Sequence, residues 1–167
     1  MKRFLVTTLA TAMIAVSLVG CGADKDTGKG NGSSVEQKYE DVSPKAVVEE
    51  LTAEYIRMPM PIDETMATEM FHINTDDVEE YAISKTGMSP GVGFIMVAKA
   101  KEGKLDAVKA TFDQVLADQV NNAFYPDEKE IAEAAKVRVD GNIVSLMIMH
   151  SEVAADAEAA YEAALNK

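Results

Sequence analysis

The sequence predicts an α+β fold: a mostly antiparallel four-stranded sheet packed with helices, preceded by a signal peptide and a flexible stalk. Three observations carry this. The signals run in the order helices, two strands, a long helix, a hairpin and a last helix, which is the succession of an α+β domain. Asp140-Gly141 sits between two alternating apolar runs, and such a tight hairpin turn needs positive φ. Leu105, Val108, Phe112, Val115, Leu116 and Val120 recur at helical spacing and lay one apolar stripe along a single long helix.

Taken in order, the chain opens with Lys2 and Arg3, then an apolar stretch from Phe4 to Val19, then Leu18-Val19-Gly20-Cys21. A positive start, a short apolar run and small residues at its end make a secretory signal, and the run is too short for a comfortable membrane span. The closing tetrapeptide resembles the lipobox of bacterial lipoproteins. That resemblance implies a cut between Gly20 and Cys21 and diacylglycerol on the Cys21 thiol. An ordinary secretory signal or an uncleaved anchor would leave Cys21, the only cysteine, as a lone reactive thiol. It has no disulfide partner in the chain even in an oxidising compartment, and lipidation consumes it. Two acyl chains hold firmly where one binds marginally, at about 0.8 kcal/mol per buried methylene.

Residues 1–20 are thus the expected signal peptide, and 21–42 the lipidated cysteine and a disordered stalk. Gly22 to Asp41 is rich in Gly, Ser, Lys, Asp and Glu and carries too little apolar surface to offset ordering. Residues 43–167 form one α+β domain of ordinary size.

Within it, Ser43-Pro44 supplies an N-cap and a proline at the first helical position, followed by Val47, Val48, Leu51 and Tyr55 on one face. Met58-Pro59-Met60-Pro61 breaks that helix. A shorter helix is expected from Asp63 to Phe71, a turn at Asn74-Thr75-Asp76-Asp77, and a strand from Val78 to Lys85 near a sheet edge. Val92 to Ala98 is nearly all apolar, as a central strand is when covered on at least one face. The long helix spans Lys104 to Ala123, and a short acidic one Asp127 to Ala135. The hairpin joins Val137–Val139 to Asn142–Met149, and Ser151 caps an alanine-rich helix from Glu152 to Leu165.

Several of these segments, in this order, resemble a known family. Asp76-Asp77-Val78-Glu79-Glu80-Tyr81 precedes an apolar strand and Lys99-Ala100-Lys101-Glu102-Gly103-Lys104. A helix of the Ala107-Val108-Lys109 type, Tyr125-Pro126 and the Gly141 hairpin follow. Together they are similar to the domain of unknown function 4358 family of Gram-positive lipoproteins, over about Pro44 to Met149. The resemblance implies class and address. It carries no established activity and so no catalytic or binding residue.

The residues themselves restrict the chemistry. The formal charge is −12, and it falls to −14 once Lys2 and Arg3 leave with residues 1–20. So acidic a surface is not drawn to nucleic acid or anionic head groups. Gly91-Val92-Gly93 precedes a strand rather than a helix and cradles no phosphate. His72 and His150 are far apart and lack zinc-ligand spacing. Ser84, Ser89 and Ser145 sit in neither a Gly-x-Ser-x-Gly elbow nor a Ser-x-x-Lys motif, and no carboxylate pair stands in apolar surroundings. The loop Asn74–Asp77 with Glu79 and Glu80 offers oxygens to calcium but lacks the acidic alternation of an EF-hand. Met58, Met60, Met66, Met70 and His72 form a soft-ligand set for Cu(I), although Met66 and Met70 are also spaced as a core stripe.

The expected protein is therefore a lipid-anchored module on the extracytoplasmic face of a bacterial membrane. It is non-catalytic, needs no cofactor, and binds an envelope protein or a small ligand but not nucleic acid. The alternatives are an envelope enzyme using carboxylates on a wall or peptide substrate, and a Met-rich Cu(I)-binding lipoprotein.

Overall fold

A computed structural model describes residues 39–167. The expected signal peptide, the Gly20–Cys21 cleavage site, the lipidation site Cys21 and the stalk up to residue 38 lie outside the described residues. The elements in chain order are α1 (Pro44–Tyr55), β1 (Pro59–Met60), α2 (Glu64–Glu69), β2 (Val78–Thr86), β3 (Phe94–Ala100), α3 (Leu105–Asn122), α4 (Pro126–Ala134), β4 (Val137–Asp140), β5 (Ile143–Ile148) and α5 (Ser151–Leu165).

The strands form one antiparallel sheet in the order β1-β2-β3-β5-β4. It has five strands where the sequence predicts four. The extra one is the Met58–Pro61 connector, which folds back along the end of β2: Pro59 lies opposite Thr86, and the Gly87 N–H donates to the Met58 carbonyl at 2.9 Å. Two residues carry no periodicity, so only this long-range pairing defines the strand. In consequence β2 is second in the sheet at that end, not its outermost strand.

Helices cover both faces. Phe94, Met96 and Ala98 of β3 and Val144, Leu146 and Ile148 of β5 join Phe71, Val108, Phe112, Val115 and Ala132 in one core, beneath α2, α3 and α4. Ile95, Val97 and Ile143 point the other way, into a core with Val47, Val48 and Leu51 of α1 and Ala157, Tyr161 and Leu165 of α5. Successive strand side chains alternate between faces, so a strand covered on both must be apolar throughout. That accounts for the run through β3, where Ile95 to Ala98 are fully buried.

Helix starts follow from local chemistry. The Ser43 hydroxyl accepts the Ala46 N–H, with Pro44 at the first position; Asp63 does the same for Met66. At α5 the expected cap is displaced by one residue. Ser151 is the first helical residue, and the His150 carbonyl before it accepts the N–H groups of Val153 and Ala154. Residues 39–42, expected at the end of the stalk, pack on the domain. Tyr39 is buried with the α1–α5 core, Val42 leans on it, and Lys99 of β3 donates to the Glu40 carbonyl. Tyr39 is large and apolar enough to be drawn in, which the composition of the surrounding segment hides.

Candidate functional site

Along the β4 edge of the sheet, on the α5 side, runs a groove of about 590 Å3. Its floor is apolar, with Met147 and Met149 from β5 and its end and Ala154 from α5; Ile131, Ala134, Ala135 and the start of β4 at Val137 close one side. Its polar margin is Lys136, Arg138, Ser145, Ser151 and Glu158. The size falls within the range of small-ligand and side-chain pockets.

Local sequence builds these walls. The hairpin closes through Gly141-Asn142, with φ +59° at Gly141 and no positive φ at Asn142, the arrangement of a type II′ turn. Asp140 and Ile143 are therefore the closing hydrogen-bonded pair, and Arg138 with Ser145 is the next. Between them, the backbone N–H and C=O groups of Val137 and Val139 point away from β5, along the outer edge. Among the described residues no other backbone group bonds to them. The side chains of Arg138 and Asp140 share the α5 face.

There they build a locked cluster. Arg138 Nε and one terminal nitrogen donate to the two oxygens of Asp140 at 2.8 and 3.2 Å, and the other terminal nitrogen donates to Glu162 at 2.9 Å. The guanidinium lies 5.3 Å from the centre of the Tyr161 ring, and the Tyr161 hydroxyl donates to Asp140 at 3.2 Å. The Ser145 hydroxyl bonds the same phenol. Burial pushes the Tyr161 phenol well above its ordinary range, and the Asp140 carboxylate holds the Arg138 guanidinium charged still more firmly than usual. Ser145, one of the sequence's nucleophile candidates, is thus 1% exposed and bonded to a phenol that stays protonated. The arrangement positions a surface.

The other candidates are dispersed. Ser84 is buried in β2, and Ser89 is exposed in the β2–β3 turn. The acidic loop is tied up internally. Asn74 donates to Asp77 at 2.9 Å, its own side-chain oxygen accepts the Asp76 N–H, and Lys104 meets Asp77 at 2.8 Å. Lys101 donates to the Thr75 carbonyl, Glu79 faces Lys99 at 3.4 Å, and Glu80 accepts from Ser43. The Lys104 hydrogen bond holds the Asp77 carboxyl below the usual range. No group of three or more His, Cys, Asp or Glu side chains able to hold a metal converges among the described residues.

The methionine segment divides. Ala67 and Phe71 are core, with Phe71 packed on Phe94 at 5.5 Å between ring centres. Met58 and Met70 are exposed, by 72% and 53%. Met60 and Met66 are half-buried. His72 shares a 2.7 Å hydrogen bond with Asp118, which keeps that carboxyl low. A second cleft, of about 290 Å3, has Met70, Lys85, Asp118 and Glu128 among its lining residues. His150 is exposed at the start of α5.

Sequence reasoning missed Arg138, Asp140 and Tyr161. The available signal was two opposite charges alternating on one face of a hairpin strand, together with the one aromatic residue in an alanine-rich helix.

No curated protein and no solved structure matches the chain. The family model described as domain of unknown function (DUF4358) matches residues 52–149, from the last turn of α1 to the end of β5. That span is more than half of the chain and takes in the whole sheet, so the protein belongs to the DUF4358 family.

Proposed function

We propose that the protein is a lipoprotein held at the extracytoplasmic face of a bacterial membrane through Cys21, and that its domain is a non-catalytic binding module. The observation that carries the binding reading is the groove beside β4: apolar on its floor, polar on its margin, and backed by a cluster whose hydrogen bonds are already used. The sequence Leu18-Val19-Gly20-Cys21 supports the tether. No helix among the described residues is long and apolar enough to cross a membrane.

Two measurements test the parts separately. Cells expressing the full chain incorporate labelled palmitate into it, and Cys21→Ala abolishes both the label and recovery in the membrane pellet. Retention of Cys21→Ala in the pellet would refute the tether. For the groove, Ala154→Trp fills the floor and removes the thermal shift given by any ligand seated there. A groove ligand at a hundredfold excess over its dissociation constant stabilises the unmodified protein by about 2.7 kcal/mol, a shift easily seen. Turnover of a wall or peptide substrate would end the non-catalytic reading.

A further inference from the structure

The groove does not lie alone on the surface; it runs beside a sheet edge whose backbone is open. β4 is the last strand of the sheet, and the outward N–H and C=O groups of Val137 and Val139 have no backbone partner among the described residues. Four unpaired backbone groups in a row match only another extended backbone, and a groove alongside takes one of its alternate side chains. We infer that this edge is the docking site for an extended peptide segment of a partner protein, which adds to the sheet as a sixth strand antiparallel to β4. The inference rests on the binding-module reading and names the ligand class of that site.

Charge fixes the register and the kind of peptide. Lys136 is exposed on the groove margin with no ion-pair partner among the described residues, while Arg138 is saturated by Asp140 and Glu162. A peptide residue opposite Lys136 is therefore acidic. Its neighbours opposite Val137 and Val139 are β-branched and exchange the backbone hydrogen bonds. The residue between them, opposite Arg138, is apolar and reaches over the groove floor of Met147 and Met149. Among the described residues a second stretch of outward-facing backbone, at Tyr81 and Ile83 of β2, is flanked by Glu79 and Glu80, which disfavour an acidic peptide there.

The probe is acetyl-Thr-Val-Leu-Val-Glu-Thr-amide, written to this register, titrated into the full chain in detergent micelles with amide hydrogen exchange as readout. Saturable binding is expected, with slowed exchange at Val137 and Val139 and none at Tyr81 and Ile83. Methylating the two valine nitrogens of the peptide removes donors without touching the protein, and is expected to weaken binding at least tenfold. Val139→Pro deletes an outward N–H that the β4–β5 ladder does not use and has the same effect. Lys136→Glu weakens binding about two- to fivefold, the worth of one cross-strand charge pair. No saturable binding at millimolar peptide, equal binding of the methylated peptide, or protection at Tyr81 and Ile83 instead would each overturn the proposal. Peptide capture needs no lipid, so its failure is separate from any failure of palmitate labelling, and a ligand that binds the groove without protecting Val137 and Val139 keeps the module and removes the peptide.

Discussion

The two edges of the sheet end in opposite ways. At the β1 edge, Met58 and Met60 bond inward to β2, so the outward positions fall on Pro59 and Pro61. Neither proline has an N–H, so over these two residues the edge offers a second chain no donor, a common protection against edge-to-edge association. At the β4 edge the equivalent outward positions are Val137 and Val139, with donors and acceptors free and a groove alongside. One sheet thus carries an edge strand stripped of outward donors and an edge strand that keeps them. The second is also the better braced, because Arg138, Asp140, Glu162 and Tyr161 fix its far end to α5. A strand held still with its backbone bonds unspent is pre-organised for addition, which lowers the ordering cost of binding.

The comparison breaks first if the two edges do not share one foundation. Phe112 is fully buried in the core beneath α3, against the central strands. Phe112→Ala is expected to lower stability by about 3–5 kcal/mol in denaturant unfolding. Hydrogen exchange at both edges should rise together; loss confined to one edge would mean the sheet is not a single cooperative unit.

A smaller and local effect is expected at the brace. Asp140→Ala leaves the Arg138 guanidinium with Glu162 alone and the Tyr161 hydroxyl with Ser145 alone, at a cost of about 1–2 kcal/mol. Exchange should quicken at Arg138, whose N–H the β4–β5 ladder protects, and stay unchanged at Met60. Smaller again is Pro59→Thr, which restores an outward N–H at the β1 edge and leaves stability within about 0.5 kcal/mol. The variant should gain self-association in sedimentation at high protein concentration. An unchanged monomer would show that the proline is not what protects that edge.

How much of this is legible in the sequence depends on range. β3, α3 and the β4–β5 hairpin declare themselves because apolar runs, a helical stripe and a Gly turn are local signals. β1 does not, since a two-residue strand exists only through its pairing with β2, and Met58 takes φ +48° to enter it. The groove is hidden for a related reason. Ser145 and Met147 read correctly as strand residues, but which face they share with Ala154 and Tyr161 is decided by how α5 returns over the sheet. The acidic loop fails in the other direction. Its carboxylates are plain in the sequence, whereas the lysine that neutralises Asp77 comes from beyond β3.

That lysine gives the last and smallest contrast. The start of β2 is pinned by Asp77 with Lys104, a pair whose base can lose its proton, whereas the base that pins β4 to Asp140 is a guanidinium that stays charged at any working pH. The Lys104 hydrogen bond lowers the Asp77 carboxyl below its ordinary 3.8, and the Asp77 hydrogen bond raises Lys104 above its ordinary 10.5. A depressed acid contributes stability that is complete above its unfolded value and is lost as pH falls through the folded one. A raised base contributes stability that is complete below its unfolded value and is lost as pH rises through the folded one. The pair therefore supports the fold between about pH 4 and pH 10 and fails on either side. Urea midpoints compared at pH 7 and pH 2.5 should drop less in Asp77→Asn than in the unmodified protein, because the variant has already lost the acid-sensitive contact. An equal drop in both would place the acid sensitivity elsewhere, with Asp118 and its His72 partner the next pair to test.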